Sequence, residues 1–417
     1  MNIVLVNHYA GAPAYGMEFR PFYLAREWVR LGHTVHIVAC APSHYRAQQP
    51  PMQGQPQRDE TIEGVHYHWL ASTPYQGNGW GRLRNILGFL WALWRRRALL
   101  GAWRPHLIIA SSTYPFDALV VAALARACRC PWVWEVHDLW PLSLIELGGL
   151  SPSHPFVRGC AWAERWAARR APALVSMLPK VEGHFTALGM EPSRLRIVPN
   201  GFPADEAQAA PPPLRADVQA TLDAARQAGQ AVVVYAGAMG KPNALDTLLD
   251  AAAQWQHRSI ALLLVGDGHE RERLQQRLQQ EGLHSVHWHP PIPKAQVATL
   301  LAQADVAFIG WQRSPLYRFG IAPNKLMDYM VAGVPVLHAV EAGNDPVAEA
   351  QAGLTVPPGD PQAVVQGLLQ LLALPARQRQ AMGQRGREFV LQHHAYAVLA
   401  RRFLDELPWA TAETMPR

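Results

Sequence analysis

The sequence predicts an α/β protein built from two Rossmann-like, doubly wound parallel-sheet domains. Short apolar segments alternate with segments of helical spacing along nearly the whole chain, which is typical of parallel sheets covered by helices. A strand followed by a glycine-containing loop and a helix occurs twice, first near residue 3 and again near residue 231. At 417 residues the chain is long enough for two or three domains with sizeable cores.

The first domain is predicted to span residues 1–203. Ile3 to Val6 forms its first strand, and the loop that follows contains Gly11 and Gly16 but no GxGxxG pattern, so a dinucleotide site is not indicated. Further strands are predicted at residues 32–40, 64–72, 105–112, 131–136, 173–178 and 196–201. In sheets of this kind, ligands bind beyond the carboxyl ends of the strands.

His137 directly follows the strand at residues 131–136. A single histidine more often has a structural role than a chemical one. The carboxyl end of a strand, however, is where a parallel sheet places its chemistry. This position favours His137 as a catalytic residue.

A segment at residues 80–103 combines apolar and basic side chains at helical spacing. Its apolar positions are Ile86, Leu87, Leu90, Trp91 and Trp94, and its basic positions are Arg82, Arg84, Arg95, Arg96 and Arg97. A basic helix with Trp and Leu can lie in a membrane interface, but the same apolar side chains could pack on the sheet and leave the arginines in water. The density of arginines favours a membrane surface. The first 200 residues carry 20 Lys and Arg against 12 Asp and Glu, which also suits an anionic partner.

Residues 204–230 include a stretch rich in Ala and Pro and low in apolar character, which predicts a linker. The second domain is predicted at residues 231–375, with apolar strand segments that begin at residues 231, 260, 285, 305, 334 and 353. Residues 376–417 are predicted to form helices that pack back on the first domain.

Residues 319–337 predict a short helix that leads into a buried strand. Pro323 suits the first helical position and Gly333 suits the end of the helix. Lys325 and Asp328 are three residues apart and therefore share a face. A lysine in the first turn opposes the helix dipole, so the arrangement is favoured when an anion, most naturally a phosphate, lies between Lys325 and the free backbone N–H groups. A solvated Lys–Asp pair on the surface is the alternative.

Several classes of protein are not supported. The segment around Lys241 lacks the glycine spacing of a Walker loop, and the VGDG segment has Arg271 where a dinucleotide site has its third glycine. The four cysteines have neither CxxC nor zinc-site spacing, so neither disulfides nor a metal site is expected. No other cofactor is expected. Nucleic-acid binding is not favoured, because the basic residues coincide with an apolar Trp/Leu segment.

The N-terminus resembles no signal peptide and no run of about eighteen apolar residues occurs, so the protein is expected in the cytoplasm.

The segments GHTV, VPNG, YAG, LDTLLDAA, VGDG, PNKLMDYMVAGVPV and GLTVPPGD together resemble the family-4 glycosyltransferases, whose GT-B architecture has two Rossmann-like domains facing a central cleft. HDLWPLS, SHYRAQQP and PYQGNGWGRLRNI are similar to the branch that transfers N-acetylated amino sugars in bacterial surface-polysaccharide synthesis. The resemblance covers nearly the whole chain. It implies retaining transfer of a sugar from a UDP-sugar to a polyprenyl-diphosphate-linked saccharide at the inner face of the cytoplasmic membrane, in O-antigen, capsule or exopolysaccharide synthesis.

The resemblance also implies roles for individual residues. Asp328 matches the acidic residue that binds the ribose hydroxyls, His137 matches a residue near the donor sugar, and Lys325 with Arg318 would stabilise the departing diphosphate. The implied donor-binding set is Gly11, Gly237, Lys241, Gly266, His289, Pro291, Asn324, Asp328 and Asp345. The arginine and lysine that the family usually has near its second-domain glycine turn are here Ala238 and Asn243. Two alternatives stay open: a nucleotide-sugar 2-epimerase, and a non-catalytic, membrane-peripheral protein that binds nucleotide sugars.

Overall fold

In a computed structural model the described residues, 1–44, 46–75, 77, 79–207, 212–255 and 258–409, form two compact α/β units. The first unit comprises Met1–Asn200 together with the described part of Tyr396–Arg417, and the second comprises Gly201–Ala395. Each unit has its own largely parallel sheet covered by helices, which confirms the predicted fold class.

Eight strands form the sheet of the first unit: β1 (Asn2–Val6), β2 (Thr34–Cys40), β3 (Gln57–Ile62), β4 (Val65–Leu70), β5 (Leu107–Ala110), β6 (Trp132–Val136), β7 (Ala173–Ser176) and β8 (Leu195–Ile197). Their order across the sheet is β3-β4-β2-β1-β5-β6-β7-β8. β1 pairs in parallel with both β2 and β5. The direction of winding therefore reverses beside β1, which is where doubly wound sheets bind ligands.

Strand β3 was not predicted from the sequence. It pairs antiparallel with β4 at the edge of the sheet, and none of its side chains is fully buried. Its sequence, QRDETI, is polar, as is common for edge strands that must avoid pairing with other chains. The apolar signal that identifies the other strands is therefore absent here.

The helices between these strands are α1 (Arg20–Arg30), α2 (Trp80–Arg95), α3 (Arg97–Ala102), α4 (Phe116–Cys128), α5 (Leu142–Glu146), α6 (Pro155–Arg170) and α7 (Glu182–Ala187). The helix α4 packs against α2, α3 and α6. Right-handed crossovers place the connections β4 to β5, β5 to β6 and β6 to β7 on one face of the sheet. The connection from β1 to β2 runs in the opposite direction, so α1 lies on the other face.

Six parallel strands form the sheet of the second unit: β9 (Ala231–Ala236), β10 (Ile260–Val265), β11 (Val286–His289), β12 (Val306–Gly310), β13 (Val336–Ala339) and β14 (Gly353–Val356), in the order β11-β10-β9-β12-β13-β14. The remaining helices are α8 (Ala216–Gln227), α9 (Leu245–Trp255), α10 (Arg271–Gln280), α11 (Lys294–Leu301), α12 (Asn324–Val331), α13 (Pro346–Glu349), α14 (Pro361–Ala373), α15 (Ala376–His393) and α16 (Tyr396–Asp405).

The segment expected to be a linker, residues 204–230, contains the helix α8. Its Val218, Leu222 and Ala225 are buried in the core of the second unit. These three positions follow helical spacing and form one apolar face. The Ala- and Pro-rich stretch that precedes the helix obscured this pattern, so the linker prediction was wrong for this helix.

The C-terminal helices divide between the two units. The helix α15 packs against α12 in the second unit, which differs from the expectation for residues 376–417. Only α16 returns to the first unit, where Leu399 and Phe403 are fully buried beside Trp28. The indole Nε1 of Trp28 donates a hydrogen bond of 2.9 Å to the carbonyl oxygen of Ala400.

Candidate active site

Three loops, two of which contain glycine, meet at the carboxyl edge of the second sheet. The backbone N–H of Gly237 donates to the carbonyl of Val265 at 2.9 Å, and that of Gly266 donates to the carbonyl of His289 at 3.0 Å. A Cβ atom on Gly266 would lie 1.9 Å from the carbonyl oxygen of Gly237. The loops after β9, β10 and β11 are thus joined backbone to backbone, and the loops after β9 and β10 approach to a distance that only glycine permits.

Lys325 lies over the Gly237 turn. Its Nζ donates to the hydroxyl of Tyr235 and to the Oδ1 of Asn243, both at 2.8 Å, and lies 4.5 Å from the centre of the Tyr235 ring. Burial lowers the pKa of this ammonium group to about 8. Among the described residues its hydrogen-bond partners are neutral, so the cation is poorly compensated and suited to an anionic ligand.

Asp328 follows Lys325 by one turn on α12. The described residues provide no hydrogen bond or ion pair to its carboxylate, so the surface Lys325–Asp328 pair considered from the sequence is not observed. Burial raises the pKa of Asp328 to about 6, against the opposing charge of Lys294. No side chain caps the N-terminus of α12, which has Pro323 at its N-cap. This end of the helix therefore combines uncapped N–H groups, a buried cation and a carboxylate with room for hydroxyl donors.

Three other candidates of the second unit are more exposed. Asn324 is the first residue of α12, and Lys241 opens the short turn after the β9 loop. Arg318 is in a turn of 3₁₀ helix, where its guanidinium donates to the carbonyl of Pro315 and lies 4.3 Å over the ring of Phe319. The involvement of these three in donor binding stays a prediction.

His289, Pro291 and Asp345 already have partners within the second unit. The two ring nitrogens of His289 lie 3.3 Å from Asp217 and 3.0 Å from Thr221, both on α8. The carbonyl of Pro291 accepts a hydrogen bond from Arg215 at 3.1 Å. Asp345 caps α13 and accepts hydrogen bonds from His338 and Thr355. The side chains of His289 and Asp345 thus connect elements of the second unit, and the part of these three residues in donor binding stays a prediction.

His137 belongs to a buried polar network in the first unit. Its Nε2 lies 2.8 Å from the Oγ of Ser111 and 3.3 Å from the Oε2 of Glu135. Glu135 pairs at 2.9 Å with Arg20, which also donates to the carbonyls of Val198 and Pro199. Burial opposes ionisation of Glu135, but Arg20, His137 and Ser111 outweigh it and lower its pKa to about 2.

This network fixes the tautomer of His137. Because Glu135 is ionised, it only accepts hydrogen bonds, and the hydroxyl of Ser111 donates to it at 2.5 Å. The Oγ of Ser111 therefore accepts from Nε2–H of His137, and the proton of a neutral ring is on Nε2. The described residues give Nδ1 no hydrogen-bond partner, so this atom is available as an acceptor.

Family models match both halves of the chain. Residues 16–201 match the model of a glycosyl transferase 4-like domain, and residues 230–374 match the model of glycosyl transferases group 1. The two matches together cover most of the sequence. The chain belongs to the family-4 glycosyltransferases.

Individual proteins agree with this assignment. The glycosyltransferase is 22% identical over 363 residues to WcaI of Escherichia coli (strain K12), which carries the provisional name of a colanic acid biosynthesis glycosyl transferase; the match covers 84% of this chain and 87% of WcaI. Sucrose-phosphate synthase from Thermosynechococcus elongatus has a TM-score of 0.71 at 19% identity, over 96% of this chain and 97% of that chain. Anabaena Alr3699/HepE, solved in complex with UDP and glucose, has a TM-score of 0.67 at 15% identity, over 98% and 99%. These solved structures show that the fold is shared.

Sequence reasoning missed a second buried network of the glycosyltransferase. His8, in the loop after β1, lies 2.7 Å from both the hydroxyl of Tyr114 and the Oδ1 of Asn85. The amide nitrogen of Asn85 donates to the carbonyl of Thr73, which fixes the amide so that its oxygen faces Nε2–H of His8. Burial lowers the pKa of His8 to about 3, so the ring is neutral. The network ties α2 to the ligand edge of the first sheet.

Gly11 lies in the same loop. Its N–H donates to the carbonyl of Glu18 at 2.7 Å, its carbonyl accepts from the hydroxyl of Tyr67, and a Cβ would lie 1.8 Å from the carbonyl oxygen of Gly16. The glycine is thus required by the folding of the loop itself. Its approach to a donor phosphate stays a prediction.

The helix α2 separates the apolar side chains that the sequence grouped together. Ile86 and Leu90 pack inside the first unit, whereas Leu87, Trp91 and Trp94 are 56%, 62% and 37% exposed. Trp80 continues the exposed stripe at 82%. The packing alternative therefore holds for the inner face of α2, while the outer face is exposed and its contact with a membrane stays a prediction.

The arginines of this segment also divide. Arg84, Arg95 and Arg97 are exposed. Arg82 donates to the hydroxyl of Tyr9 at 3.1 Å, and Arg96 donates to Gln57 at 2.7 Å and to the carbonyl of Pro56. None of the helices in the described part of the chain is both long and apolar enough to cross a bilayer.

Within the described ranges, no group of three or more His, Cys, Asp or Glu side chains has an arrangement that could hold a metal ion. Cys40 and Cys160 are buried free thiols, and Cys128 and Cys130 are partly buried free thiols.

Proposed function

We propose that this glycosyltransferase transfers a sugar from a UDP-sugar to a lipid-linked saccharide at the inner face of the cytoplasmic membrane. The sugar would be an N-acetylated amino sugar, the anomeric configuration would be retained, and the acceptor would be a polyprenyl-diphosphate-linked saccharide of a cell-surface polysaccharide. The observation that carries the proposal is the poorly compensated Lys325 beside the uncapped N-terminus of α12.

A nucleoside diphosphate fits this end of α12 chemically. Its phosphate oxygens would accept hydrogen bonds from the first-turn N–H groups and from Lys325, whose described hydrogen-bond partners are both neutral. The carboxylate of Asp328, one turn further on, would accept the ribose hydroxyl protons. The Gly237 turn lies against the same cation, since a Cβ on Gly237 would lie 2.9 Å from the Nζ of Lys325.

The chemical step builds negative charge on the diphosphate as its bond to the anomeric carbon breaks. Lys325 and Arg318, with Lys241 as a further cation, would stabilise that charge without a metal ion. His137 would accept a hydrogen bond from a hydroxyl of the donor sugar through Nδ1, because its Nε2–H is held by Ser111. This interaction orients the donor, and we assign His137 no role as a general base.

The outer face of α2 supports an acceptor in the membrane. Trp80, Trp91 and Leu87 are exposed on one stripe, and the exposed Arg84 and Arg95 lie on the same side. Trp side chains favour the headgroup region of a bilayer and arginines bind anionic lipids. A peripheral enzyme held in this way would meet a lipid-linked saccharide at the surface.

Related proteins support the donor and the pathway. HepE was solved with UDP and glucose, and an E. coli protein named trehalose-6-phosphate was solved with UDP-2-fluoro glucose, at 15% and 12% identity to this chain. WcaI is named for colanic acid biosynthesis. These likenesses favour a UDP-sugar donor and a polysaccharide product for this chain.

A donor screen tests the proposal. Purified protein is incubated with UDP-, GDP- and dTDP-sugars, with and without a bacterial lipid extract as acceptor, and nucleoside diphosphate release is followed. We expect release that depends on the extract and on a UDP-sugar, with a product of retained configuration by NMR. Release of a free 2-epimer would instead identify an epimerase, and binding without any release would identify a non-catalytic protein.

The ribose role of Asp328 is tested separately. Asp328→Ala should weaken UDP binding about tenfold, since a charged hydrogen-bond acceptor is worth roughly 1.5 kcal/mol. Asp223→Ala on α8 removes an exposed carboxylate of the same unit and is the matched control. Equal UDP affinity in the two variants would remove Asp328 from the nucleotide site.

A further inference from the structure

The outer surface of the helix layer α2, α3, α4 and α6 carries exposed charge of one sign. These helices contain two carboxylates, Asp117 and Glu164, and both are buried, at 0% and 3% exposure. Their exposed charged side chains are all arginines: Arg84, Arg95, Arg97, Arg126, Arg158, Arg165, Arg169 and Arg170. The positive exposed charge of these four helices is complementary to an anionic partner.

The helix α6 presents its own stripe of basic and aromatic side chains. Arg158, Trp162, Arg165 and Arg169 follow one another at intervals of four, three and four residues, so they share one face of the helix. Trp162 is 59% exposed. Trp166, by contrast, stacks on Trp132. The exposed indole of Trp162 therefore lies in the middle of an arginine stripe, as the exposed Trp and Leu side chains do on α2.

The two stripes face the same side of the first unit. The helix α4 packs against both α2 and α6, and all three cover the same face of the sheet. Neighbouring packed helices are about 10 Å apart, so α2 and α6 are separated by roughly 20 Å. The solvent-exposed residues of α4 between them are Ala123, Arg126 and Ala127, which add no negative charge and little bulk.

We propose that α6 is a second membrane contact, in which Trp162 enters the interfacial layer while Arg158, Arg165 and Arg169 bind anionic lipid headgroups. The inference rests on the membrane-side function proposed above and extends it from one helix to two. Exposed arginines around isolated aromatic side chains favour a lipid surface over an acidic protein, since protein interfaces surround their aromatic anchors with a packed apolar core. Two helical stripes about 20 Å apart would prevent the unit from rolling about either helix, so the first sheet takes a defined tilt on the bilayer.

Vesicle flotation tests this contact on the full-length protein. The vesicles contain phosphatidylglycerol and phosphatidylcholine, or phosphatidylcholine alone. The variants are Arg158→Gln/Arg165→Gln and Trp162→Ser on α6, and Trp91→Ser on α2. The matched control is Arg401→Gln/Arg402→Gln, which removes two exposed charges from α16 on the opposite face of the unit. Because every changed side chain is exposed, thermal unfolding should be the same in all variants.

We expect the α6 arginine variant to bind anionic vesicles at least tenfold more weakly than the control, since each basic residue near an anionic surface strengthens binding roughly fivefold. Trp162→Ser should also weaken binding. UDP binding should be the same in all of them.

Three outcomes would overturn the inference. If the α6 variants bind like the control while Trp91→Ser binds weakly, α6 is not a lipid contact and the membrane role of α2 stands. If the wild-type protein binds neither kind of vesicle, the membrane part of the proposed function fails as well. If it binds no vesicles but self-associates in sedimentation through the α6 residues, the surface is an interface between copies of this chain.

Discussion

Lys325 should make the affinity for a nucleoside diphosphate depend on pH. Its ammonium group is buried over the Gly237 turn, and this burial lowers its pKa to about 8. The two groups that it contacts, Tyr235 and Asn243, are neutral. A bound diphosphate would bring negative charge to the ammonium group and raise the pKa again. Binding of the nucleotide is therefore linked to protonation of this lysine.

The size of the effect follows from the fraction of free protein in which Lys325 is charged. With a pKa of about 8, about nine tenths of the molecules are protonated at pH 7 and about one tenth at pH 9. If the charged form alone binds the diphosphate well, the Kd for UDP rises about tenfold between these two pH values, which corresponds to about 1.4 kcal/mol. Asp328, with a pKa of about 6, and a phosphate, with a second pKa of about 6, are already about nine tenths ionised at pH 7 and change little above it.

Isothermal titration calorimetry with UDP at pH 7, 8 and 9 measures the change directly. Repeating the titrations in buffers of different ionisation enthalpy gives the number of protons taken up, which should rise towards one above pH 8. Lys325→Met keeps a long side chain without a charge and should bind UDP more weakly, with no dependence on pH. Lys180→Met, in the first unit, is the control for the loss of a lysine elsewhere.

A Kd that is the same at pH 7 and pH 9, with no proton uptake, would refute the linkage. If Lys325→Met also bound UDP like the wild-type protein, Lys325 would have no place in the phosphate site. If that variant bound weakly while the wild-type affinity did not change with pH, Lys325 would contact the diphosphate but stay charged between pH 7 and pH 9. Burial would then not lower the pKa of this lysine.

Three further perturbations test other parts of the molecule. Ser111→Ala removes the hydroxyl that accepts from His137, so kcat should fall roughly tenfold or more while UDP affinity stays the same; rate and calorimetry on one preparation measure both. Gly266→Ala places a Cβ 1.9 Å from the Gly237 carbonyl oxygen and should destabilise the fold by about 3 kcal/mol, read from urea unfolding. His8 has a pKa of about 3 in the folded protein, against 6.5 unperturbed, so as the pH falls this histidine is protonated in the unfolded chain before it is protonated in the folded protein. The free energy of unfolding should therefore fall by about 1.4 kcal/mol per pH unit below about pH 6. His8→Gln should remove this contribution, measured by urea unfolding at pH 6, 5 and 4.

Each of these has an outcome that would contradict it. Unchanged turnover in Ser111→Ala would mean that His137 does not depend on this hydroxyl for its orientation. Gly183→Ala, where a Cβ meets no atom within 4 Å, is the control for Gly266→Ala, and equal stability of the two would show that the loop can rearrange. The same dependence of stability on pH in His8→Gln and in the wild-type protein would assign the acid sensitivity to other groups.

The sequence predicts the fold well where the apolar signal is strong. The strands β1, β6, β9 and β10 are fully apolar or nearly so and were all located. The edge strand β3 and the helix α8 were missed because their apolar signal is weak. The sequence of β3 is polar, and α8 has only three buried apolar positions. The separation of α15 from α16 cannot be seen in the sequence, since both are amphipathic helices and only tertiary contacts decide which unit they join.

The candidate site shows the same limit. Helical spacing was enough to place Lys325 and Asp328 on one face of α12. The neutral partners of Lys325, however, are 82 and 90 residues away in the chain, and Arg20 is 115 residues from Glu135. Such long-range contacts decide pKa values and tautomers, and no local pattern encodes them. His8 was passed over for this reason, although it lies at a strand's carboxyl end like His137.

The return of α16 to the first unit has a consequence for how the chain folds during synthesis. The second unit is an insertion whose two ends meet, since the N–H of Phe202 donates to the carbonyl of His394 at 2.8 Å. The second unit can therefore fold from one continuous stretch of the chain. The first unit cannot finish folding, because the indole of Trp28 lacks its buried hydrogen-bond partner until Ala400 has been synthesised. Multidomain chains usually fold from the N-terminus onward; here the first unit to begin is the last to finish, and a nascent chain that stops before residue 396 exposes part of its apolar core to chaperones and proteases.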